Sequence, residues 1–496
     1  MKRMILSSAF RCALGALAFG SCGLAVAQDN PAASTDHGTA PAYAAPAYAA
    51  RSPQSGHLIR PQGVRNMLAI ATLDGKTPLM MAQPRAVPVS GSSEGGPEII
   101  LGQEAETPQS MGCIYVGSPA SAGCVPNYSS GSGGPSSAGY GAIAVVDAYA
   151  SPHAASDLAK FNSYWGLAAP PSFTVLQATG NGSCSTVPPP PFGLESWQLE
   201  TALDTQWAHV FAPKAAIILV ETCTQSLSDL IYGNEVAFAY IAANFKTTGG
   251  EVSNSWQYPE PGGPGQHSDD VLFTDHNYTS GQGWQPNIQA FASSGDGGFE
   301  GFSQAGYPSA NPWVVSAGGT SVERNQATEQ FAAEYCWSGS GGGKSAVETY
   351  TTTWSGGNTG PWADFQYPIF GQGPRSTPDF SFNADPASGV LVYCSEPAYC
   401  ATPGFYQVGG TSVSSPALAS IVNRAGNRLG TVHLNAVTGN NAFFSAAENN
   451  LAYATLPAHA QHTEFYDVTV GSNGQSAVAG WDYCTGLGAA RGTAGK

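Results

Sequence analysis

Two carboxylates on one turn of a helix are the first residues in this chain whose spacing suggests chemistry. Glu200 and Asp204 lie in Trp197-Gln-Leu-Glu200-Thr-Ala-Leu-Asp204-Thr-Gln-Trp207-Ala-His209, and residues 195–211 read as an amphipathic helix. Side chains four apart project about 40° from each other, so the pair shares a face. Like charges placed so cost a helix roughly a few tenths of a kcal/mol. A solvated acidic face is the plain reading. Against it, Trp197, Leu203 and Trp207 make the surroundings apolar in a chain with only 10% charged residues. Such a pair can share one proton, because both members cannot easily ionise together. One carboxylate then serves as a base for a hydroxyl only where it is ionised and its neighbour is not, which points to acidic pH.

The hydroxyl to be activated is sought at a tight turn. Val408-Gly-Gly-Thr-Ser412-Val-Ser-Ser-Pro416 places Ser412 between a Gly-Gly turn and an apolar helix, with Pro416 suited to helix initiation. Backbone N–H groups at a helix N-terminus favour developing negative charge. The plain alternative is a capping serine. The string Gly-Gly-Thr-Ser-Val also occurs at residues 318–322, followed by Glu323, Arg324 and Asn325 rather than an apolar helix, so only the second copy has the turn-to-helix context. Asp296, in Ser294-Gly-Asp296-Gly-Gly298, is a glycine-flanked aspartate that a turn alone would explain.

The elements that must position these groups follow from composition and pattern. Over 496 residues, 61 Gly and 36 Pro demand many turns, while 42% hydrophobic residues supply a large core. A net charge of −16 argues against a nucleic-acid partner. Apolar runs at Gly141–Val146, Ala215–Val220, Glu251–Trp256, Pro286–Ser294 and Trp313–Ser316 alternate with helices and loops, the pattern of a parallel sheet covered on both faces. Residues 1–27 read as a signal peptide, with Lys2, Arg3 and Arg11 ahead of an apolar stretch ending in Ala25-Val26-Ala27. Residues 28–106, including the Ala/Pro-rich repeat at 40–50, read as a linker in which 56–105 leaves room for a short pro-segment. Residues 107–496 read as one large α/β domain. Eight cysteines remain beyond the signal, an even number that suggests disulfides in an exported chain, with Cys113/Cys124 and Cys394/Cys400 the close pairs. Neither CxxC nor HExxH occurs, so zinc has no support.

Taken in order, these segments resemble the sedolisin family of serine-carboxyl peptidases over residues 107–488. The helix with Glu200 and Asp204 runs into Ala212-Pro213. The Asp296 segment precedes Tyr307-Pro-Ser-Ala-Asn-Pro312 and Gly318-Gly-Thr-Ser321. Gly409-Gly-Thr-Ser412 with Pro416 follows, then Asp467-Val468 and Gly480-Trp481-Asp482 with Thr485-Gly486. The resemblance implies a subtilisin-like fold, with Ser412 as nucleophile, Glu200 as general base and acid, Asp204 orienting Glu200, and Asp296 stabilising the oxyanion. A carboxyl group donates to an oxyanion only while protonated, which again favours acid. It also implies one structural Ca2+ held by side chains of Asp467 and Asp482 and by the carbonyls of Val468, Val478 and Gly480. Val478 replaces the more usual glycine, which a carbonyl ligand tolerates. The segments after Trp256 (Tyr258-Pro-Glu-Pro) and at Trp354–Pro361 depart from typical members.

The expectation is an exported, acid-acting endopeptidase, secreted or periplasmic, acting on protein or peptide substrates as a monomer without stable membrane insertion. Two rivals stand beside it. A conventional Asp-His-Ser peptidase would use Asp147, His209 and Ser412, but His209 projects about 180° from Glu200 and about 140° from Asp204 around the helix. A non-catalytic binding protein on a peptidase fold is the other.

Overall fold

The computed structural model describes residues 105–117, 124–133, 138–260, 272–273, 288–301, 305–325, 327–349, 374–400, 403–426 and 465–493, with short strand pairs at 67–68, 81–82, 278–279 and 283–284. The signal-peptide, linker and most pro-segment assignments, and Trp354–Pro361, lie outside the described residues.

In chain order the main elements are β1 (Ala142–Ala148), α1 (Ala154–Trp165), β2 (Phe173–Ala178), α2 (Ser196–Val210), β3 (Ala216–Thr222), α3 (Leu227–Asn244), β4 (Gly250–Asn254), β5 (Ile288–Ser293), β6 (Val314–Arg324), β7 (Phe331–Cys336), β8 (Phe380–Asn383), β9 (Val390–Cys394), β10 (Gly404–Val408), α4 (Thr411–Ala425), β11 (Phe465–Tyr466) and β12 (Ala489–Ala490). One ten-stranded sheet has the order β11-β12-β8-β6-β5-β4-β1-β3-β2, with β7 also on β6. From β2 across to β12 the pairings are parallel; β6–β7 and β11–β12 are antiparallel. The sheet is therefore mostly parallel, as the sequence pattern implies.

Burial on both faces explains why the strands are apolar without interruption. All seven residues of β1 are buried. Ile143 and Val145 pack with α1, α2 and α4, whereas Ala144 and Val146 pack with Leu230, Phe238 and Ile241 of α3. Successive side chains of a strand point to opposite faces, so this split is the period of two written in contacts.

Two helices depart from the sequence reading in informative ways. All fifteen residues of α2 are buried, so it has no solvent face and is not amphipathic in the usual sense. Pro416 is not in the first turn of α4, which opens at Thr411 after Gly410, but inside the helix. Proline has no N–H to offer the carbonyl four residues back, and here that carbonyl belongs to Ser412.

Both close cysteine pairs are bonded, Cys113–Cys124 and Cys394–Cys400, and the remaining four form Cys184–Cys223 and Cys336–Cys484. Among the described residues no helix is long and apolar enough to cross a membrane.

Candidate active site

Three strand ends and two helices converge on one place. Asp147 lies near the carboxyl end of β1, Ser255 follows β4 and Asp296 follows β5, and these strands are neighbours in the sheet. Open parallel sheets present their sites at that end. Above it, α2 and α4 pack against each other and bring Glu200, Asp204 and Ser412 together.

Glu200, Asp204 and Asp147 are wholly buried, and Ser412 is nearly so. Burial pushes the pKa of Glu200 well up, and the nearby carboxyls of Asp147 and Asp296 raise it further, while the Ser412 hydroxyl favours its ionised form. Neither Glu200 oxygen nor the Ser412 hydroxyl has a partner in full hydrogen-bonding geometry. Catalytic hydrogen bonds are often loose before substrate binds. Asp204 is likewise raised by burial and by the Asp147 and Glu200 carboxyls, and its Oδ1 accepts the Ser255 hydroxyl at 2.8 Å. Asp147 rises to about 7, chiefly through burial, with Thr201 and Asp204 opposing. The result is a row of buried acids, Glu200–Asp204–Asp147, that cannot all ionise at once.

Asp296 is tied to the nucleophile turn. Its Oδ1 accepts the Thr411 backbone N–H at 2.7 Å and the Thr411 hydroxyl at 2.8 Å. The Gly295 N–H donates to the same hydroxyl at 3.0 Å. Gly410 has φ +108°, and a Cβ there would lie 2.7 Å from Asp296 Oδ2, so only glycine lets the turn approach this carboxyl.

His209 is elsewhere. Its ring is wholly buried, its Nε2 lies 2.8 Å from the Ala168 carbonyl, and burial pushes its pKa down to about 4. The first Gly-Gly-Thr-Ser-Val copy lies within β6, where Ser321 donates to Asp385 at 2.6 Å. Two residues that sequence reasoning did not place in the carboxyl arrangement enter the site. Asp147, read there only as the aspartate of the rival Asp-His-Ser triad, stands behind Asp204. Ser255 is the other; its hydroxyl also lies 3.1 Å from the Ser412 carbonyl that Pro416 leaves without a helical donor. The strand-end position of Asp147 was the one signal available for it.

In the C-terminal segment, Asp467 Oδ2 accepts the Gly480 N–H at 3.0 Å, and Asp482 accepts the N–H groups of Cys484 and Thr485 at 2.8 Å. Asp467 Oδ1 is buried with no hydrogen-bond partner. Among the described residues no three His, Cys, Asp or Glu side chains cluster as a metal site. That does not conflict with a set built from two aspartates and three carbonyls.

A mostly parallel sheet flanked by helices, with a serine at the start of a buried helix, is the architecture of the subtilisin-like folds. No protein-family model matches the chain. It is similar to kumamolisin of Bacillus sp. (strain MN-32), 26% identical over 351 residues, 67% of this chain and 55% of that protein. It is also similar to sedolisin of Pseudomonas sp. (strain 101), 27% identical over 216 residues, 40% of this chain and 32% of that protein. The chain spans about half the length, or less, of these curated relatives. Among solved structures, Pseudomonas sedolisin, a serine-carboxyl proteinase complexed with two molecules of pseudo-iodotyrostatin, shares the fold. Its TM-score is 0.54 at 22% identity, covering 78% of this chain and 96% of that one. The two curated likenesses support membership of the sedolisin family, and the solved structure supports the fold.

Proposed function

We propose that the protein is an exported, acid-acting serine-carboxyl endopeptidase. The observation that carries this reading is the buried row of carboxyls against the Ser412 hydroxyl, with Glu200 beside it and Asp204 and Asp147 behind. Glu200 takes the Ser412 proton as the hydroxyl oxygen attacks the peptide carbonyl. The oxyanion so formed accepts a hydrogen bond from protonated Asp296, whose Oδ1 accepts from the Thr411 N–H and hydroxyl and so ties the carboxyl to the nucleophile turn. Glu200 returns the proton to the leaving amine, and water releases the acyl group by the same steps. Asp204 orients Glu200. Eight bonded cysteines suit an oxidising compartment.

Calcium belongs to the same reading. The orphaned Asp467 Oδ1 and the all-oxygen donor set suit a hard cation. Asp467, Asp482 and the carbonyls of Val468, Val478 and Gly480 would hold it, and the ion would neutralise the two aspartates. Chelation is expected to lower Tm, and Asp467→Ala to lower it without further response to chelator.

The test is hydrolysis of a denatured protein from pH 2 to 8. Acid activity lost in Ser412→Ala and Glu200→Gln, reduced in Asp296→Asn and kept in His209→Gln supports the mechanism. A neutral optimum that survives Glu200→Gln but not His209→Gln would sink it in favour of a conventional triad.

A further inference from the structure

The hairpin β9–β10 runs directly into the nucleophile, because Val408 ends β10, Gly409 and Gly410 make the turn, and Thr411 opens α4. The polar groups on the outer edge of β9 and the residue before it point away from β10 and need partners of their own. The Gly389 carbonyl accepts from the Glu106 N–H at 2.8 Å, and the Leu391 N–H donates to the Glu106 carbonyl at 3.0 Å. The Leu391 carbonyl accepts from the Trp207 indole at 3.2 Å. The last rung is closed by one side chain. Gln206 Nε2 donates to the Tyr393 carbonyl at 2.7 Å, and the Tyr393 N–H donates to Gln206 Oε1 at 2.9 Å.

We infer that Gln206 is a positioning residue, its amide acting as an added rung of the hairpin that fixes α2 at one height against β9, the partner of the strand leading to Ser412. Gln206 is wholly buried and lies two residues beyond Asp204 on the helix that carries both carboxylates. Ser412 and Glu200 do not hold each other in hydrogen-bonding geometry, so their separation is set by the frame around them. Displacing a reacting group by about 1 Å can cost on the order of 100-fold in rate.

The inference rests on the peptidase reading and has its own test. A protonated glutamic acid offers one acceptor and one donor, as the amide does, and can close the same two bonds to Tyr393. An ionised glutamate can only accept, and it repels the Tyr393 carbonyl. In Gln206→Glu, kcat on a fluorogenic peptide is expected within threefold of the parent at the acid end of its profile. Its alkaline limb is expected to move to lower pH by half a unit or more. In Gln206→Leu, kcat is expected to fall ten- to a hundredfold at every pH with KM within twofold. Assays well below each variant's Tm, on protein shown folded by circular dichroism, separate placement from stability. If Gln206→Leu does not fold, Gln206→Glu carries the test. An active parent whose folded variants keep kcat within twofold and an unmoved pH profile overturns this inference alone. A parent inactive throughout pH 2–8 overturns the peptidase reading and this inference with it.

Discussion

Ser255 answers Pro416. The proline removes the helical donor for the Ser412 carbonyl, and the Ser255 hydroxyl stands 3.1 Å from that carbonyl and 2.8 Å from Asp204 Oδ1. One proton on one oxygen thus links the backbone of the nucleophile to the carboxylate behind the base. Ser255→Ala is expected to destabilise the protein by about 1–3 kcal/mol, the cost of leaving buried acceptors unpaired, and to lower kcat. In a Pro416→Ala background residue 416 regains its N–H and can serve the Ser412 carbonyl, so Ser255→Ala should cost less there. A thermodynamic cycle from urea melts measures the difference, and strict additivity would mean that the two residues do not share this carbonyl.

Gly410→Ala combines two penalties. A side chain at φ +108° costs roughly 1–3 kcal/mol, and its Cβ would lie 2.7 Å from Asp296 Oδ2. Activity is expected to fall at least a hundredfold, more than the stability loss explains, because the carboxyl aimed at the oxyanion is pushed aside. Retained kcat in a folded variant would remove Asp296 from that role.

Much of this geometry was legible before the fold was known, and the part that was not has a physical reason. Spacing alone put Glu200 and Asp204 on one face and His209 opposite, because helix angles are local. The turn-to-helix context separated Ser412 from Ser321, which lies inside a strand. The close cysteine pairs were readable, whereas Cys336–Cys484, 148 residues apart, depends on the folded path. Full burial of α2 was hidden, since an amphipathic pattern leaves one helix face to solvent until the sheet, α4 and the hairpin enclose it. Gln206 and Tyr393, 187 residues apart, could be paired only by topology.

The buried acids make stability depend on pH. Asp147 rises from 3.8 to about 7, so between those values the native state keeps a proton that the unfolded chain has released. Stability from this group is complete below the lower value and lost as pH rises through the upper, at about 1.4 kcal/mol per pH unit. His209, pushed down to about 4 from 6.5, acts in the opposite sense, its contribution being lost as pH falls through that window. Glu200 and Asp204, both raised, add to the Asp147 slope. Melting temperature is therefore expected to drop between pH 4 and 7.5. Asp147→Asn should raise Tm at pH 7.5 and change it little at pH 4; an equal shift at both would exclude Asp147 as the proton site.

The disulfides should differ in worth. By the loop-entropy relation, closing 148 residues contributes about 5 kcal/mol and closing 6 about 2. Replacing Cys336 and Cys484 by serine is expected to lower stability more than replacing Cys394 and Cys400. The second pair closes the hairpin that leads to Ser412, so its loss should lower kcat as well. Chemical denaturation with parallel assays distinguishes the two effects.

Because α2 has no residue on the surface, mobile ions cannot enter the space between its carboxyls and their neighbours. At 0.1 M salt the screening length in water is about 10 Å, but screening requires solvent that counter-ions can occupy. Surface charges on the remainder of this acidic chain will respond to ionic strength, and substrate encounter will respond with them. The protonation steps inside the helix will not. Added salt should alter how readily a charged peptide arrives while leaving the pH at which kcat turns on and off where the fold has set it.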